Sequence, residues 1–165
     1  MGFRVGDQVM HPHHGLGRIL RMEERQLAEA ELRQYYVLAF GKTTVWLPVQ
    51  ADRSGLRLLT APQDLEHYRV LLQSRPTTLD RDYKKRHLNI QEQLAHGSFQ
   101  EVCEVVRDLT ALGWYRQITG VDAGLLKRAR TDLWLEWSVA TGQALPEVIQ
   151  EVTALLEAGE RAYKD

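Results

Sequence analysis

At 165 residues the chain is long enough for one ordinary domain or two small ones, and 44% hydrophobic with 26% charged residues describes a globular protein rather than a disordered one. Its apolar runs fall far short of the roughly 20 residues of a membrane helix. The opening Met1–Asp7 offers no secretory stretch, and the single Cys103 excludes an internal disulfide or a cysteine zinc site, so a cytoplasmic protein is expected. Net charge is −1, with eight Lys/Arg against six Asp/Glu in residues 1–60 and thirteen against sixteen in the rest, so no global basic field exists and any nucleic-acid contact must come from a local patch.

Residues 1–60 read as β-structure. Gly6, Gly15, Gly17 and Gly41 punctuate short segments, and Pro12 and Pro48 stand where strands would end. The expected strands are Gln8–His11, Leu16–Arg25, Leu32–Phe40 and Thr43–Leu47, with a short one over Arg57–Leu59. The run from Tyr35 to Phe40 has the strongest β-propensity, and Gly41-Lys42 is short enough for a hairpin turn. Several short, closely spaced strands predict a small curled sheet or SH3-like (Tudor-like) barrel.

From residue 60 the period changes. Thr60-Ala61-Pro62-Gln63 has the spacing of a capping box, after which Leu65, Tyr68, Val70, Leu71 and Leu72 crowd a helix ending near Ser74. Arg75 to Thr78 reads as a break. The spacing then predicts a helix over Asp80–His96 stopped by Gly97. A second is opened by the Ser98–Glu101 capping box and carries Val102, Val105, Val106 and Leu109. A third, capped by Asp122, carries Leu125, Leu126, Ala129 and Leu133. A fourth opens at Leu145-Pro146 and carries Val148, Ile149, Val152, Leu155 and Leu156. The expected class is α+β: a β-rich domain over 1–60, a connecting helix and linker over 61–78, and an all-α domain over 79–165.

Chemistry-bearing residues are few. Arg81, Lys84, Lys85 and Arg86 form the densest basic cluster, diluted only by Asp82, and Lys127, Arg128 and Arg130 form a second. Either run suits phosphate contacts or a solvated helix face. Basic groups at a helix start oppose the macrodipole, which makes a purely structural use of the first cluster less natural. His11, His13 and His14 lack a suitably spaced carboxylate or cysteine, so no metal site is expected. Cys103 lies among apolar neighbours and reads as core, and Trp134 and Trp137, one turn apart, read as packing residues. No Ser/His/Asp or paired-carboxylate arrangement stands out, so neither catalysis, a cofactor nor a small-molecule substrate is expected.

Phe3 to Val9, His11 to Gly17, Tyr83 to His87, Glu92 to Gly97, Glu104 to Leu109 and Lys127 to Arg130, taken in this order over both halves of the chain, resemble the CarD (CdnL) family of bacterial transcription regulators. Phe3 to Val9, followed by His11-Pro12-His13-His14-Gly15-Leu16-Gly17, is similar to the opening of its polymerase-interacting domain, which is shared with the transcription-repair coupling factor. That helicase is excluded as the whole protein, because no GxxxxGK[ST] phosphate loop is present and the chain is too short for a motor. In the second half Tyr83 to His87, Glu92 to Gly97 and Glu104 to Leu109 track the first two helices of the family's DNA-facing domain, and Lys127 to Arg130 resembles its third.

The resemblance implies a non-enzymatic regulator. It would hold the β subunit of bacterial RNA polymerase and lay its helical domain against the upstream edge of the melted promoter, near the −10 element. It would need no membrane. A tryptophan wedge in the family corresponds to Tyr83 here, whose ring could insert beside a base step or could simply begin a core stripe with His87, Ile90 and Leu94. Lys84, Lys85 and Arg86, with Lys127, Arg128 and Arg130, would hold the DNA backbone. Ala123 and Gly124 stand where relatives are often basic. Arg25 and Leu27 match polymerase-contacting positions, and Trp46 lies at or near another, either as an exposed anchor or as a buried barrel residue. The alternative is a polymerase-binding adaptor whose helical domain has lost the wedge, as Tyr in place of Trp would permit.

Overall fold

The computed structural model describes residues 2–26, 28–49 and 55–165. The chain divides into two compact units, Met1–Leu59 and Thr60–Asp165.

The first unit is an antiparallel sheet of β1 (Gln8–His11), β2 (Gly15–Arg25), β3 (Arg33–Phe40), β4 (Thr43–Pro48) and β5 (Arg57–Leu58), in the order β4-β3-β2-β1-β5. β4 and β5 lie at opposite edges, so among the described residues the sheet is open and not a closed barrel. Phe40 pairs with Thr43 across Gly41-Lys42, a two-residue turn in which Gly41 takes φ +61°, a conformation disfavoured for side chains with a Cβ. The register shifts between Ile19 and Arg21, a bulge that leaves Leu20 unmatched and re-aims the rest of β2. Val9, Ile19, Tyr36, Leu38 and Phe40 form the core on one face, flanked by Val45 and Leu47. Gly17 lies under the Phe40 ring, where a Cβ would come within 2.5 Å, so this close packing requires glycine.

The second unit holds a 3₁₀ turn (Pro62–Asp64) and five helices: α1 (Leu65–Gln73), α2 (Tyr83–Ala95), α3 (Phe99–Leu112), α4 (Gly120–Thr141) and α5 (Leu145–Tyr163). Of these helices α3 buries the most residues and threads the centre, with Val102, Cys103, Val105, Val106 and Leu109 buried. No helix among the described residues is long and apolar enough to cross a membrane. Ile90, Phe99, Ala129, Leu133, Trp137, Val148 and Val152 complete the core.

Leu65 and Leu72 belong to that same core, each about 1% exposed, so the segment expected to connect two domains supplies a helix to the second. Val70 departs from its expected inward placement and is 60% exposed. The Thr60 capping box does not form; the Thr60 backbone N–H donates instead to the buried Glu136 carboxylate at 2.8 Å. At α3 the box signal is realised, with Ser98 Oγ accepting from the Glu101 N–H at 3.1 Å. Asp122 is not the cap of α4. Thr119 takes that position, and Asp122 lies in the first turn, where its carboxylate is engaged elsewhere.

Candidate functional site

α2 begins where Asp82 accepts a hydrogen bond from the Lys84 N–H at 2.9 Å. A helix turns about 100° per residue, so four consecutive side chains cannot share one face. Lys84 and Lys85 accordingly point to solvent while Arg86 turns inward and is 4% exposed; Tyr83, the first residue of the helix, is exposed as well. Arg86 Nε and Nη2 donate to the two oxygens of Asp122 at 3.0 and 2.8 Å, and Nη1 donates to the Asp80 carbonyl at 2.9 Å. A guanidinium fork matches a carboxylate in this bidentate way, and burial makes the pair costly to break. The bond to Asp122 raises the Arg86 pKa further above its ordinary value. Burial pushes the Asp122 carboxyl up, but the hydrogen bonds and charge of Arg86 outweigh this and hold it below the usual range. Arg86 is therefore corrected from a DNA-facing residue to the bolt between α2 and α4.

Asp122 carries two further contacts. His87 Nε2 lies 3.1 Å from Oδ1, and Arg116 Nη2 lies 3.7 Å from Oδ2. The Tyr83 ring leans edge-on against His87 with centroids 5.9 Å apart and stays 58% exposed. Tyr83 thus lies outside the core stripe, whose α2 members are Ile90 and the half-buried Leu94. A cleft of about 250 Å³ opens beside it, between the start of α2 and the segment leading into α4.

The second basic cluster divides. Lys127 and Arg128 are exposed on α4, whereas Arg130 is half-buried and stacks over the Trp134 ring at 5.2 Å, facing the groove toward Val152 of α5. Trp137 is wholly buried.

On the sheet, register builds a second surface. Arg21 pairs with Val37 and Val37 with Trp46, which places Arg21 and Trp46 on either side of a buried valine, on the face opposite the core. Alternation puts Glu23 and Arg25 on the same face. Arg25 lies over the Trp46 ring, 4.7 Å from its centroid, and its Nε is 3.2 Å from Glu23. The Trp46 Nε1–H donates to Glu23 Oε2 at 3.4 Å, and Arg21 meets the same oxygen at 3.2 Å. The indole hydrogen bond, then the Arg25 and Arg21 charges, outweigh partial burial and lower the Glu23 pKa. Trp46 is 36% exposed, an outer-face residue rather than a core one. Leu27 lies outside the described residues.

Residues 3–59 match the family model described as the CarD-like/TRCF RID domain, and residues 68–153 match that of the CarD C-terminal domain. The chain belongs to the CarD family. It is 29% identical over 143 residues to the "Putative transcription factor YdeB" of Bacillus subtilis (strain 168), an alignment that covers 85% of this chain and 93% of that protein. The two models fall on the two structural units, and this CarD-family protein is a transcription regulator.

Within it, His11, His13 and His14 have a structural use. His11 Nδ1 accepts the backbone N–H groups of His13 and His14 at 3.1 and 3.2 Å, closing the turn between β1 and β2, and the His14 ring stacks on Phe40. Among the described residues no group of His, Cys, Asp and Glu could hold a metal ion. Reading the sequence missed Glu23, Arg116 and the true role of Asp122. The spacing Thr119 to Asp122 places Thr119 rather than Asp122 at the helix start, but no side-chain capping bond forms there and nothing local signals the pairing of Asp122 with Arg86.

Proposed function

We propose that this CarD-family protein binds the β subunit of bacterial RNA polymerase through the outer sheet face around Trp46 and Arg25, and stabilises the promoter open complex by laying the start of α2 against DNA at the upstream edge of the −10 bubble. The observation that carries the DNA half is Tyr83: a large aromatic ring left 58% exposed beside two exposed lysines, on a helix start bolted from behind by a buried ion pair. A side chain that inserts beside a base step needs apolar area and a rigid base, and flanking cations hold phosphates without reading bases. Lys84 and Lys85 fill that role, with Lys127 and Arg128 as outlying backbone contacts. An exposed indole clamped by a guanidinium is the kind of anchor around which protein interfaces concentrate their binding energy, and β4, an edge strand of the sheet among the described residues, suits strand addition.

The effect on transcription follows from differential affinity. A protein that binds the melted promoter better than the closed one shifts the equilibrium toward the open complex by the ratio of the two affinities and no more, and it lengthens open-complex lifetime to the extent that it binds the open state better than the transition state for bubble collapse. With a net charge of −1 the free chain neutralises few phosphates, so its DNA contact depends on delivery by the polymerase. The test is open-complex lifetime with purified polymerase. The wild-type chain should prolong it, Tyr83→Ala should shorten it toward the value without protein, and Tyr83→Trp should lengthen it. Equal lifetimes for all three, with polymerase capture intact, would leave only the adaptor reading.

A further inference from the structure

We infer that the groove between α4 and α5 at Arg130 is a binding site for a free α-amino acid with an apolar side chain. The site stands apart from both surfaces described above and does not depend on the promoter-contact reading. The groove encloses about 290 Å³, close to the lower end of small-molecule sites, which run from roughly 300 to 1,000 Å³. Val152 and Leu156 of α5 line it beside the Trp114 and Trp134 rings, and charges of both signs line it as well: Arg130 on α4, Glu157 and Glu160 on α5. The short 142–144 connection makes α4 and α5 neighbours that run in opposite directions. Arg130 stands 11 residues before Thr141, the last residue of α4, and Glu157 stands 12 residues after Leu145, the first of α5. At a rise of about 1.5 Å per residue, the two charges lie at the same height on facing helices.

Opposite charges at one height would be expected to meet, and here they do not. Among the described residues Arg130 forms no ion pair and no hydrogen bond; its guanidinium lies over the Trp134 ring, 5.2 Å from the centroid. Arg130 Nε and Trp134 Nε1 are both buried without an acceptor among those residues, a state in which folded proteins leave few donors. Glu157 has no cation partner among them either, and Glu160 has only Lys164 at 3.6 Å, beyond hydrogen-bond length. The other charges of the two helices lie outside the lining. Asp122 is taken by Arg86, Glu136 by the Thr60 N–H and Glu151 by Arg69, while Asp132, Glu147, Lys127, Arg128, Arg161 and Lys164 do not border the groove. An unpaired guanidinium thus faces two carboxylates across an apolar floor. An α-amino acid matches this on all three counts: its carboxylate suits Arg130, its ammonium suits Glu157 and Glu160, and its side chain covers the floor. A fatty acid brings nothing for the glutamates, an alkylamine nothing for Arg130, and a nucleotide would set phosphates against two carboxylates.

The test titrates leucine and phenylalanine into the full chain and follows tryptophan fluorescence and the denaturation midpoint. At least one of them should change the fluorescence saturably and raise the midpoint, because a ligand held only by the folded state stabilises it. Glycine, which has no side chain for the floor, should do neither. Leucinamide and N-acetyl-leucine each lack one of the two charges and should bind about 10-fold more weakly than leucine, the loss of one charged hydrogen bond. Arg130→Gln and Glu157→Gln should each weaken leucine by a similar factor while the midpoint without ligand stays close to that of the wild type. Absence of binding by both apolar amino acids at millimolar concentration would overturn the site. Equal binding of leucine and either derivative would overturn the amino-acid assignment, and unchanged leucine affinity in both variants would overturn the groove as its location. The derivatives are measured on the unaltered chain, so a variant that fails to fold leaves the proposal open to refutation.

Discussion

The two surfaces of this protein both pair an aromatic ring with cations, yet they hold the ring in opposite ways. Trp46 is locked: Arg25 covers its face, Glu23 takes its N–H, and Glu23 is itself shared between Arg25 and Arg21. Tyr83 is propped: one edge rests on His87, and the rigidity comes from a layer beneath it, where Arg86 and Asp122 join α2 to α4. A locked ring suits a protein partner, which gains from an anchor already ordered before contact. A propped ring suits a partner that must admit it between its own stacked groups. The difference shows that exposure alone does not define a contact residue; what stands behind the ring decides what it can do.

The comparison breaks most sharply at Asp122. Asp122→Ala leaves the Arg86 guanidinium buried and unpaired, and a loss of about 3 kcal/mol of folding stability is expected from thermal or urea denaturation of the helical unit. The pair also has a pH signature. The Asp122 pKa is lower folded than unfolded, so its stabilisation is fully present above the ordinary carboxylate value near 3.9 and fades as pH falls through the depressed folded value. Denaturation of the wild type should steepen below about pH 4, and Asp122→Asn should lack that component.

Leu72→Ala tests the other part of the backing. It should cost the helical unit about 3 kcal/mol, because Leu72 is 1% exposed in the core shared by α1, α3 and α5; a mere connecting helix would show almost no loss. At the locked ring, Trp46→Ala should weaken polymerase capture by about 2 kcal/mol, roughly 30-fold, with little change in denaturation midpoint. A loss of stability equal to the loss of capture would instead make Trp46 a sheet residue. The smallest effect on folding belongs to the propped ring: Tyr83→Ala should alter stability by less than about 0.5 kcal/mol while shortening open-complex lifetime.

Much of the fold was legible because it rests on local signals. The aromatic and aliphatic run over Tyr35–Phe40, the Gly41-Lys42 turn and the Ser98 capping box each act within a few residues, and the elements fall within one or two residues of expectation at most ends. The site was only half legible. A run such as Lys84-Lys85-Arg86 reads as one patch, and only helical phase together with a carboxylate 36 residues away separates Arg86 from its neighbours. The Arg25–Trp46 pairing likewise needs the β2-β3-β4 register, to which sequence distance gives no clue. The 61–78 segment misled because Arg75-Pro76 marks a real break after α1, while the membership of α1 itself is decided by what Leu65 and Leu72 meet in space.

The bidentate contact between Arg86 and Asp122 has a consequence for how such a protein can change over time. Folding of the helical unit depends on position 86, which is buried, and the proposed effect on the promoter depends on position 83, less than one helical turn away but exposed. Selection can therefore exchange one aromatic ring for another at the tip without endangering the body that carries it. Tyr83 is, on this view, a setting on a dial, and the lifetime of the open promoter is what it adjusts.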